Sequence, residues 1–310
     1  MELEQSPDYP DELFEKFDDS FEQIQEISRP SVSYWTDAWR RFKHNKVAIL
    51  SLIMLMIILF LAIFGPMISE YEFQSLDAKS ISKPPDSQHW FGTDDLGRDV
   101  YTRLWYGTRI SLLIAFIAVA INVVIGVLYG GISGYFGGKV DMVMMRLIEV
   151  IWTIPTLLWV MMLMIVMGPG VKTIIIALAV TGWVSMARVV RGQVLQLRQM
   201  EYVYASKILG GKYKRIIIKH LIPNTMGLII IILTFAIPGA IFTEAMLSYL
   251  GVGIPPPFAS LGSMTNEGAK MILLKPYQLF YPALVLCIIM LSFNLLGDGL
   301  RDALDPKLRK

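Results

Sequence analysis

The sequence predicts an all-α integral membrane protein with six transmembrane helices. Hydrophobic residues make up 54% of the chain and charged residues only 17%, whereas soluble domains carry about 25% charged residues. Apolar segments of about 20 residues, the length that a helix needs to cross a bilayer, recur six times. Lysine and arginine concentrate beside alternate segments, as the positive-inside rule expects of cytoplasmic loops.

The predicted spans lie near 47–68, 110–132, 142–167, 171–190, 225–246 and 278–296. Residues 1–46 form a cytoplasmic N-terminal tail, 47–296 the transmembrane domain and 297–310 a cytoplasmic C-terminal tail. The first span is longer than the apolar core of a signal peptide and lacks a small-residue cleavage site, so we expect it to be retained. Basic residues in 40–46 precede it, and six spans return the C-terminus to the cytoplasm.

The N-terminal tail is rich in aspartate and glutamate over residues 1–34. Phe14, Phe17, Phe21 and Ile24 recur at spacings of three and four, which places them on one face of a helix. Such a face could dock on a partner. A solvated acidic tail is the alternative interpretation, because acid-rich segments hydrate well.

The external loop before the second span contains the segment WFGTDDLGRDVYTRLWYGTRISL, residues 90–112. Its glycines suit turns, and its aspartates and arginines can form ion pairs. The positions that stand out are Gly92, Thr93, Asp94, Gly97, Arg98 and Asp99. From the residues alone, the segment predicts a folded loop held by Asp–Arg pairs.

Three features inside the predicted spans are polar or break a helix. Arg146 and Glu149 lie three residues apart on one helical face, which favours a structural pair. Pro155 removes a helix hydrogen bond and predicts a kink in the third span. Glu244, near the external end of the fifth span, could line the entrance of a pathway or lie at the interface as an ordinary polar residue.

The loop EYVYASKILGGKYKRIIIKHLIP, residues 201–223, is basic and predicted to be cytoplasmic. Its first half reads as a short helix that Gly210 and Gly211 end, since glycine tolerates left-handed geometry. Pro223 suits the opening of the next helix. The small side chains of Ala205 and Ser206 would let another protein surface approach closely.

This loop resembles the EAA signature of ABC importer permeases: Glu-Ala-Ala, three residues, Gly, nine residues, Ile, one residue, Leu-Pro. Tyr204, Ser206, His220 and Ile222 depart from it at the Glu, second Ala, Ile and Leu positions. The resemblance implies a coupling helix that contacts an ATPase. The residues that it assigns to this role are Glu201, Tyr204, Ala205, Ser206, Gly210, His220, Ile222 and Pro223.

Residues 90–112 and the C-terminal GDGLRDALDPKLR, residues 297–309, resemble permeases of the peptide and nickel importer group. The likeness covers nearly all of the chain after residue 30 and is best for the C-type membrane subunits of oligopeptide permeases. It implies an importer-type ABC permease core in a bacterial plasma membrane. The implied partners are a second, B-type permease subunit forming a heterodimer, two cytoplasmic ATPase subunits, an extracellular peptide-binding lipoprotein, membrane lipid and an oligopeptide substrate. Dipeptides and nickel complexes are the alternative substrates.

The residues disfavour a cofactor or metal site in this chain. Lys139 and Lys212 each follow a glycine, but the first glycine and the Ser or Thr of a phosphate loop are missing. ATP and Mg²⁺ are therefore expected in the partner subunits. The three histidines form no HExxH motif, and Cys287 is the single cysteine, predicted to be a small buried hydrophobe.

Two other classes of function fit less well. A secondary transporter is expected to carry ionisable groups near the membrane midplane, whereas the charges here lie near the ends of the spans. An intramembrane enzyme needs a catalytic constellation inside the spans, and the pattern shows none. No feature indicates nucleic-acid binding. The sequence therefore predicts a transport subunit, not an enzyme.

Overall fold

The computed structural model describes residues 34–304, and this part of the chain is almost entirely helical. An isolated bridge between Thr93 and Asp99 is the one strand-like pairing found there. The predicted face of Phe14, Phe17, Phe21 and Ile24 lies outside the described residues, as do residues 305–310 of the C-terminal tail.

The helices follow one another with short connections, apart from the external loop before α3. In chain order they are α1 (Tyr34–His44), α2 (Lys46–Ile68), α3 (Val100–Phe136), α4 (Gly138–Thr153), α5 (Thr156–Met167), α6 (Val171–Leu197), α7 (Glu201–Ile208), α8 (Tyr213–Ile216), α9 (Ile222–Tyr249), α10 (Leu261–Lys270) and α11 (Tyr277–Leu304). A π-helical turn, Ile217–Leu221, joins α8 to α9.

Five continuous helical segments of the described chain are long and apolar enough to cross a membrane: α2, α3, α6, Tyr213–Tyr249 and α11. The pair α4 and α5 passes the same test together, which makes a sixth candidate span, but the two helices meet at an angle of 80°. Pro155 lies at this break. The predicted kink is therefore a full break, and the predicted span 142–167 is two helices.

Several helices extend beyond the predicted spans. Helix α3 begins at Val100 because the carboxylate of Asp99 caps it, accepting a hydrogen bond from the backbone N–H of Thr102 at 2.8 Å. Helix α11 continues to Leu304, so the first part of the predicted C-terminal tail is helical. Pro223 lies at the start of α9, but the chain is already helical from Tyr213 through the π-helical turn.

The most extensive helix contact joins α3 to α6, and glycines spaced four residues apart lie in it. A Cβ atom on Gly126 would lie 2.6 Å from Met186 Cβ, on Gly130 2.4 Å from the carbonyl oxygen of Ala187, and on Gly134 2.8 Å from the carbonyl oxygen of Arg191. Small residues at this spacing let two membrane helices pack backbone against backbone. The contact runs along the C-terminal half of both helices and positions the segments that follow them.

Helix α2 attaches to α3 through an arginine that compensates for a proline. Pro66 lies inside α2 and has no N–H to donate to the carbonyl of Ala62. Arg109 of α3 supplies that donor: its Nε donates to the Ala62 carbonyl at 2.9 Å, and its Nη2 to the Ile63 carbonyl at 2.7 Å. The bond satisfies a backbone group that the bilayer interior would otherwise leave unpaired.

We expect Gly130→Ala to destabilise the fold, because the added Cβ would meet a backbone oxygen that cannot move aside alone. Overfilling a packed site costs about 1–3 kcal/mol. Gly192→Ala in α6 is the matched control, since nothing lies within 4 Å of its Cβ position. Thermal unfolding in detergent, followed by size-exclusion chromatography, measures both. Equal melting temperatures for the two variants would contradict the packing assigned to α3 and α6.

Candidate functional site

The short helix α7 is anchored on one side by a buried cluster. Val203 is completely buried, in a cluster with Met186, Val190 and Val194 of α6 and with residues of the π-helical turn. The cluster includes Val127 of α3 and Ile229 of α9. The helix is therefore held against the ends of three membrane helices rather than carried on a free loop.

The opposite side of α7 exposes apolar groups, which we call the α7 surface: Tyr204, Ala205, Ile208 and the adjoining Leu209. Ile208 is 85% exposed and Leu209 86% exposed. Cationic side chains stand around them, namely Lys207, Lys212, Lys214 and Arg215. Exposed apolar patches with a polar rim mark protein interaction sites. The cations disfavour an alternative in which this surface sits in the lipid core.

A glycine turn ends α7 and fixes the direction in which Leu209 projects. Gly210 adopts φ +77°, a left-handed conformation that side chains rarely adopt. The N–H of Gly210 donates to the Lys207 carbonyl at 3.0 Å, and that of Gly211 to the Ser206 carbonyl at 2.9 Å. These two bonds form a Schellman motif. The predicted helix end is thus present at Gly210 and Gly211.

The predicted coupling residues fall into two groups. Tyr204 and Ala205 are exposed on the α7 surface, and Glu201 is exposed in its first turn, where a negative charge favours the helix N-terminus. Ser206 is half-buried and turns away from the exposed face. His220 lies in the π-helical turn, and Pro223 is exposed at the start of α9. Ile222, also at the start of α9, packs against the cluster that buries Val203.

Sequence reasoning did not assign Ile208 and Leu209 to the contact surface. The sequence does contain a signal for this surface: two large apolar residues stand side by side in a loop that is otherwise dense in cations. Only the helix direction and the anchor at Val203 show that both project outward.

A salt bridge ties the first turn of α4 to α6. The carboxylate of Asp141 accepts from Arg191 Nε and Nη2, each at 2.5 Å, and from the Ser133 hydroxyl at 2.5 Å. Arg198 Nη1 donates to the carbonyl of Tyr135 at 3.3 Å, and Lys207 Nζ lies 5.3 Å from the centroid of the Tyr135 ring. This chain of contacts links α7 to the ends of α3 and α6.

A cavity of about 620 Å³ lies between α3, the break between α4 and α5, α6 and α9. Neutral polar groups face it among apolar ones: Asn122, Thr156, Thr181, Ser185 and Thr243. The side-chain Oδ1 of Asn122 is buried and has no hydrogen-bond partner among the described residues. No charged side chain lines this cavity in the described chain, so it suits neutral polar ligands with amide or hydroxyl groups.

The external loop is held by a buried ion cluster. Arg98 Nε donates to Asp94 Oδ2 at 2.6 Å, and Arg103 Nε lies 3.3 Å from the same oxygen. Both arginines also reach Glu267 of α10, at 3.2 Å and 3.1 Å. The predicted Asp–Arg pairing is present, and it extends to a helix more than 160 residues away in the chain.

The other motif residues of the loop also serve the fold. Gly92 and Gly97 have positive φ, and a Cβ on Gly97 would lie 2.0 Å from the Asp77 carbonyl oxygen. The carbonyl of Thr93 accepts from Tyr277 Oη at 3.0 Å and from Gln278 Nε2 at 2.9 Å. Asp99 caps α3 and lies 3.0 Å from Nδ1 of His89. These contacts position α3 against α10 and α11.

Hydrogen bonds keep two carboxylates of this loop ionised. The Ser80 hydroxyl and the Lys79 N–H lower the pKa of Asp77 below its usual 3.8. The backbone N–H of His89 likewise lowers the pKa of Asp86. Because the folded pKa values are the lower ones, this contribution to loop stability is present above about pH 4 and is lost as the pH falls through them.

Three predictions about residues inside the spans can be compared with the structure. Arg146 and Glu149 form the expected pair, with Nη1 to Oε2 at 2.7 Å. Glu244 lines no entrance: it is completely buried and accepts from the hydroxyls of Ser111 and Ser248, each at 2.8 Å. Cys287 is exposed rather than buried, because it lies on the outward face of α11.

These features are those of a membrane transport subunit, with helices around a cavity lined by apolar and neutral polar groups and an exposed basic surface at α7. Residues 123–310 match the family model described as "Binding-protein-dependent transport system inner membrane component". Residues 33–85 match "N-terminal TM domain of oligopeptide transport permease C". The chain belongs to the family of binding-protein-dependent transport inner membrane components, the permease subunits of ABC importers, and is not itself an enzyme.

Similar proteins support this assignment over nearly the whole chain. The chain is 50% identical to "Oligopeptide transport system permease protein OppC" of Bacillus subtilis, covering 97% of this chain and 99% of that one. It is 52% identical to "Dipeptide transport system permease protein DppC" of the same organism, covering 99% and 96%. These relatives and the two family models confirm the resemblance to C-type permease subunits.

Solved structures share the fold. A crystal form of the inward-facing MetNI methionine ABC transporter aligns with a TM-score of 0.54 at 20% identity, covering 66% of this chain and 96% of that chain. A second crystal form aligns with a TM-score of 0.53 at 18% identity, covering 64% and 94%. The expected importer-type permease core is confirmed at the level of the fold.

We expect Gly210→Val to loosen the end of α7, because a branched side chain cannot adopt φ +77° without strain. Gly210→Asn is the matched control, since asparagine tolerates this conformation. Limited trypsin digestion of the full chain should cut at Lys207 or Lys212 several-fold faster in the valine variant. Equal cutting in wild type and in both variants would contradict the role given to Gly210.

Proposed function

We propose that the chain is one of two paired permease subunits of a peptide importer and that α7 is the helix through which partner ATPases drive it. The α7 surface carries the proposal, since Ile208 and Leu209 are more than four-fifths exposed on a side of the membrane rich in cations. An apolar knob with a basic rim suits a groove with an apolar floor and acidic edges. The two cytoplasmic ATPase subunits would present one such groove to each permease subunit, and they would bind the ATP and Mg²⁺.

The contacts of α7 would transmit a movement of this helix to the membrane helices. Val203 and the cation–π contact of Lys207 with Tyr135 join α7 to α3 and α6. The same helices and α9 line the cavity of about 620 Å³. Rigid-body movement of α7 would therefore displace the walls of the cavity together, which is a common way to alternate access. No chemical step in this chain is required.

The family to which the chain belongs supports two further partners. The cavity is open on one side of this chain, so a B-type permease subunit would complete the pathway as a heterodimer. The external loop, braced on α10 by the Asp94–Arg98–Glu267 contacts, offers a rigid outer surface. An extracellular peptide-binding lipoprotein would deliver the substrate there. The bacterial plasma membrane is the proposed location.

The proposed substrate is an oligopeptide. Uncharged amide and hydroxyl groups in the cavity, Asn122 among them, can hydrogen-bond a peptide backbone without selecting one side chain. Dipeptides are the second candidate, because relatives with nearly equal identity carry oligopeptide and dipeptide names.

A competition assay of peptide uptake distinguishes oligopeptides from dipeptides as the substrate. In proteoliposomes that contain the complete transporter, we expect a labelled pentapeptide to accumulate with ATP and a tenfold excess of unlabelled dipeptide to compete weakly. Strong competition by the dipeptide, with slow pentapeptide uptake, would assign the dipeptide instead. Accumulation of neither peptide would contradict the proposed function.

We propose that both termini are cytoplasmic. In a Cys287→Ser background, an impermeant maleimide added outside intact cells should label Ala78→Cys, which lies at an exposed position of the external loop. Lys212→Cys, also at an exposed position, should react only after permeabilisation. The reverse pattern would contradict the orientation.

Bulk or charge on the α7 surface should uncouple the transporter and leave the membrane domain folded. Ala205→Trp overfills an exposed contact, and Leu209→Asp places a carboxylate in an apolar groove. A loss of about 1.4 kcal/mol weakens association tenfold, so we expect at least that loss of ATPase binding in copurification and a matching loss of uptake.

Leu273→Asp is the control, because Leu273 is 94% exposed on the opposite side of the membrane domain. It should leave ATPase copurification unchanged. Normal ATPase binding and uptake in Ala205→Trp and Leu209→Asp would remove the coupling role of α7.

A further inference from the structure

Helix α1 has three distinct sides. Ala38 and Phe42 are buried against the rest of the protein. Trp35 and Trp39 lie one turn apart on a second side and are 50% and 55% exposed. Arg40 and His44 lie one turn apart on a third side and are also exposed. Since successive residues of an α-helix turn by about 100°, the tryptophan side lies next to the buried side and roughly 140° from the polar side, with Lys43 between them.

The position of α1 brings it to the membrane interface. Asn45 connects it directly to α2 and caps that helix, accepting from the N–H of Ala48 at 3.1 Å. Phe42 packs with Ala48 of α2 and Ala303 of α11, so α1 cannot swing away without losing a buried cluster. The helix therefore lies where α2 leaves the bilayer.

Cations accompany the tryptophans. Lys43 Nζ lies 5.3 Å from the centroid of the Trp39 ring, an arrangement in which the lysine stem covers the ring while its charge stays at the polar edge. Lys46 is exposed one turn further on. The carboxylate of Asp37 accepts from Arg40 at 2.9 Å and also pairs with Arg41, so it offsets only part of this positive charge.

We propose that α1 is an interfacial helix that binds anionic phospholipid headgroups in the leaflet on the same side as α7. Trp35 and Trp39 enter the boundary between headgroups and acyl chains, where amphipathic rings are favoured. Lys43, Lys46 and Arg40 contact lipid phosphates, which attract basic segments next to a span.

Lipid is the occupant that the surroundings of α1 favour. The exposed apolar face of α2 begins at Val47, 52% exposed, and Leu50, 63% exposed. Between this surface and Trp39, the exposed charged side chains are Lys43 and Lys46, both cations that anionic headgroups would pair with. A protein partner on the same side would have to displace lipid from both helices.

Spin labelling of the full chain tests the depth of α1. In a Cys287→Ser background, nitroxides are placed at Trp39→Cys and at His44→Cys in nanodiscs of phosphatidylcholine with phosphatidylglycerol. We expect the label at position 39 to contact oxygen more than a water-soluble nickel chelate, about 5–10 Å below the phosphates. The label at position 44 should show the reverse. Preferential access of the chelate to position 39 would overturn the proposal.

Charge substitution tests the lipid class. Binding of spin-labelled phosphatidylglycerol relative to spin-labelled phosphatidylcholine should fall at least about fivefold in Lys43→Gln/Lys46→Gln, since each basic residue near an anionic surface contributes about that factor. Lys212→Gln/Lys214→Gln carries the same charge change away from α1 and should leave the ratio unchanged. An equal fall in both variants would overturn a site on α1.

Two other occupants give different results. If residues 1–33, which are acidic, covered the tryptophans, their deletion would open position 39 to the chelate. If an ATPase subunit covered them, protection would appear only in the assembled complex. Either result would overturn the lipid proposal.

Discussion

The structure depends on the close approach of α3 and α6. A membrane interior offers no hydrophobic driving force between helices, so association relies on packing and on satisfied polar groups. Gly126, Gly130 and Gly134 remove the side chains that would hold the two backbones apart. The Asp141–Arg191 salt bridge closes the same interface at its end. The cavity wall and the anchor of α7 both follow from this contact.

The two ends of the molecule are built from different interactions. At the end that carries the loop before α3, buried ion pairs and hydrogen bonds to backbone carbonyls brace this loop against α10 and α11. Removing one member of such a cluster leaves an uncompensated charge, so the cluster favours one rigid arrangement. On the side of α7, apolar contacts through Val203 leave a surface free to meet another protein. One end is therefore closed by its own ion pairs, and the other carries the exposed α7 surface that we propose as the contact with an ATPase.

The polar groups within the membrane illustrate how context decides the role of a residue. Glu244 looks like a pathway residue in the sequence, yet two serine hydroxyls from separate helical positions satisfy it inside the protein. Asn122, by contrast, keeps an oxygen without a partner among the described residues and faces the cavity. Buried polar groups are normally satisfied, so the unsatisfied one is the better candidate for contact with a substrate. Residue type alone could not separate the two.

The sequence by itself determined the helical class, the number of apolar segments, the helix end at Gly210 and the Asp–Arg pairing of the external loop, because each depends on residues close together in the chain. Tertiary structure decided the 80° break at Pro155, which proline chemistry permits but only packing makes so sharp. It also decided which side of α7 is exposed, since the burial of Val203 depends on α6 and on Ile229 of α9, elements that the loop sequence does not contain. Contacts between distant segments carry no local signal, and these are the contacts that shape the candidate site.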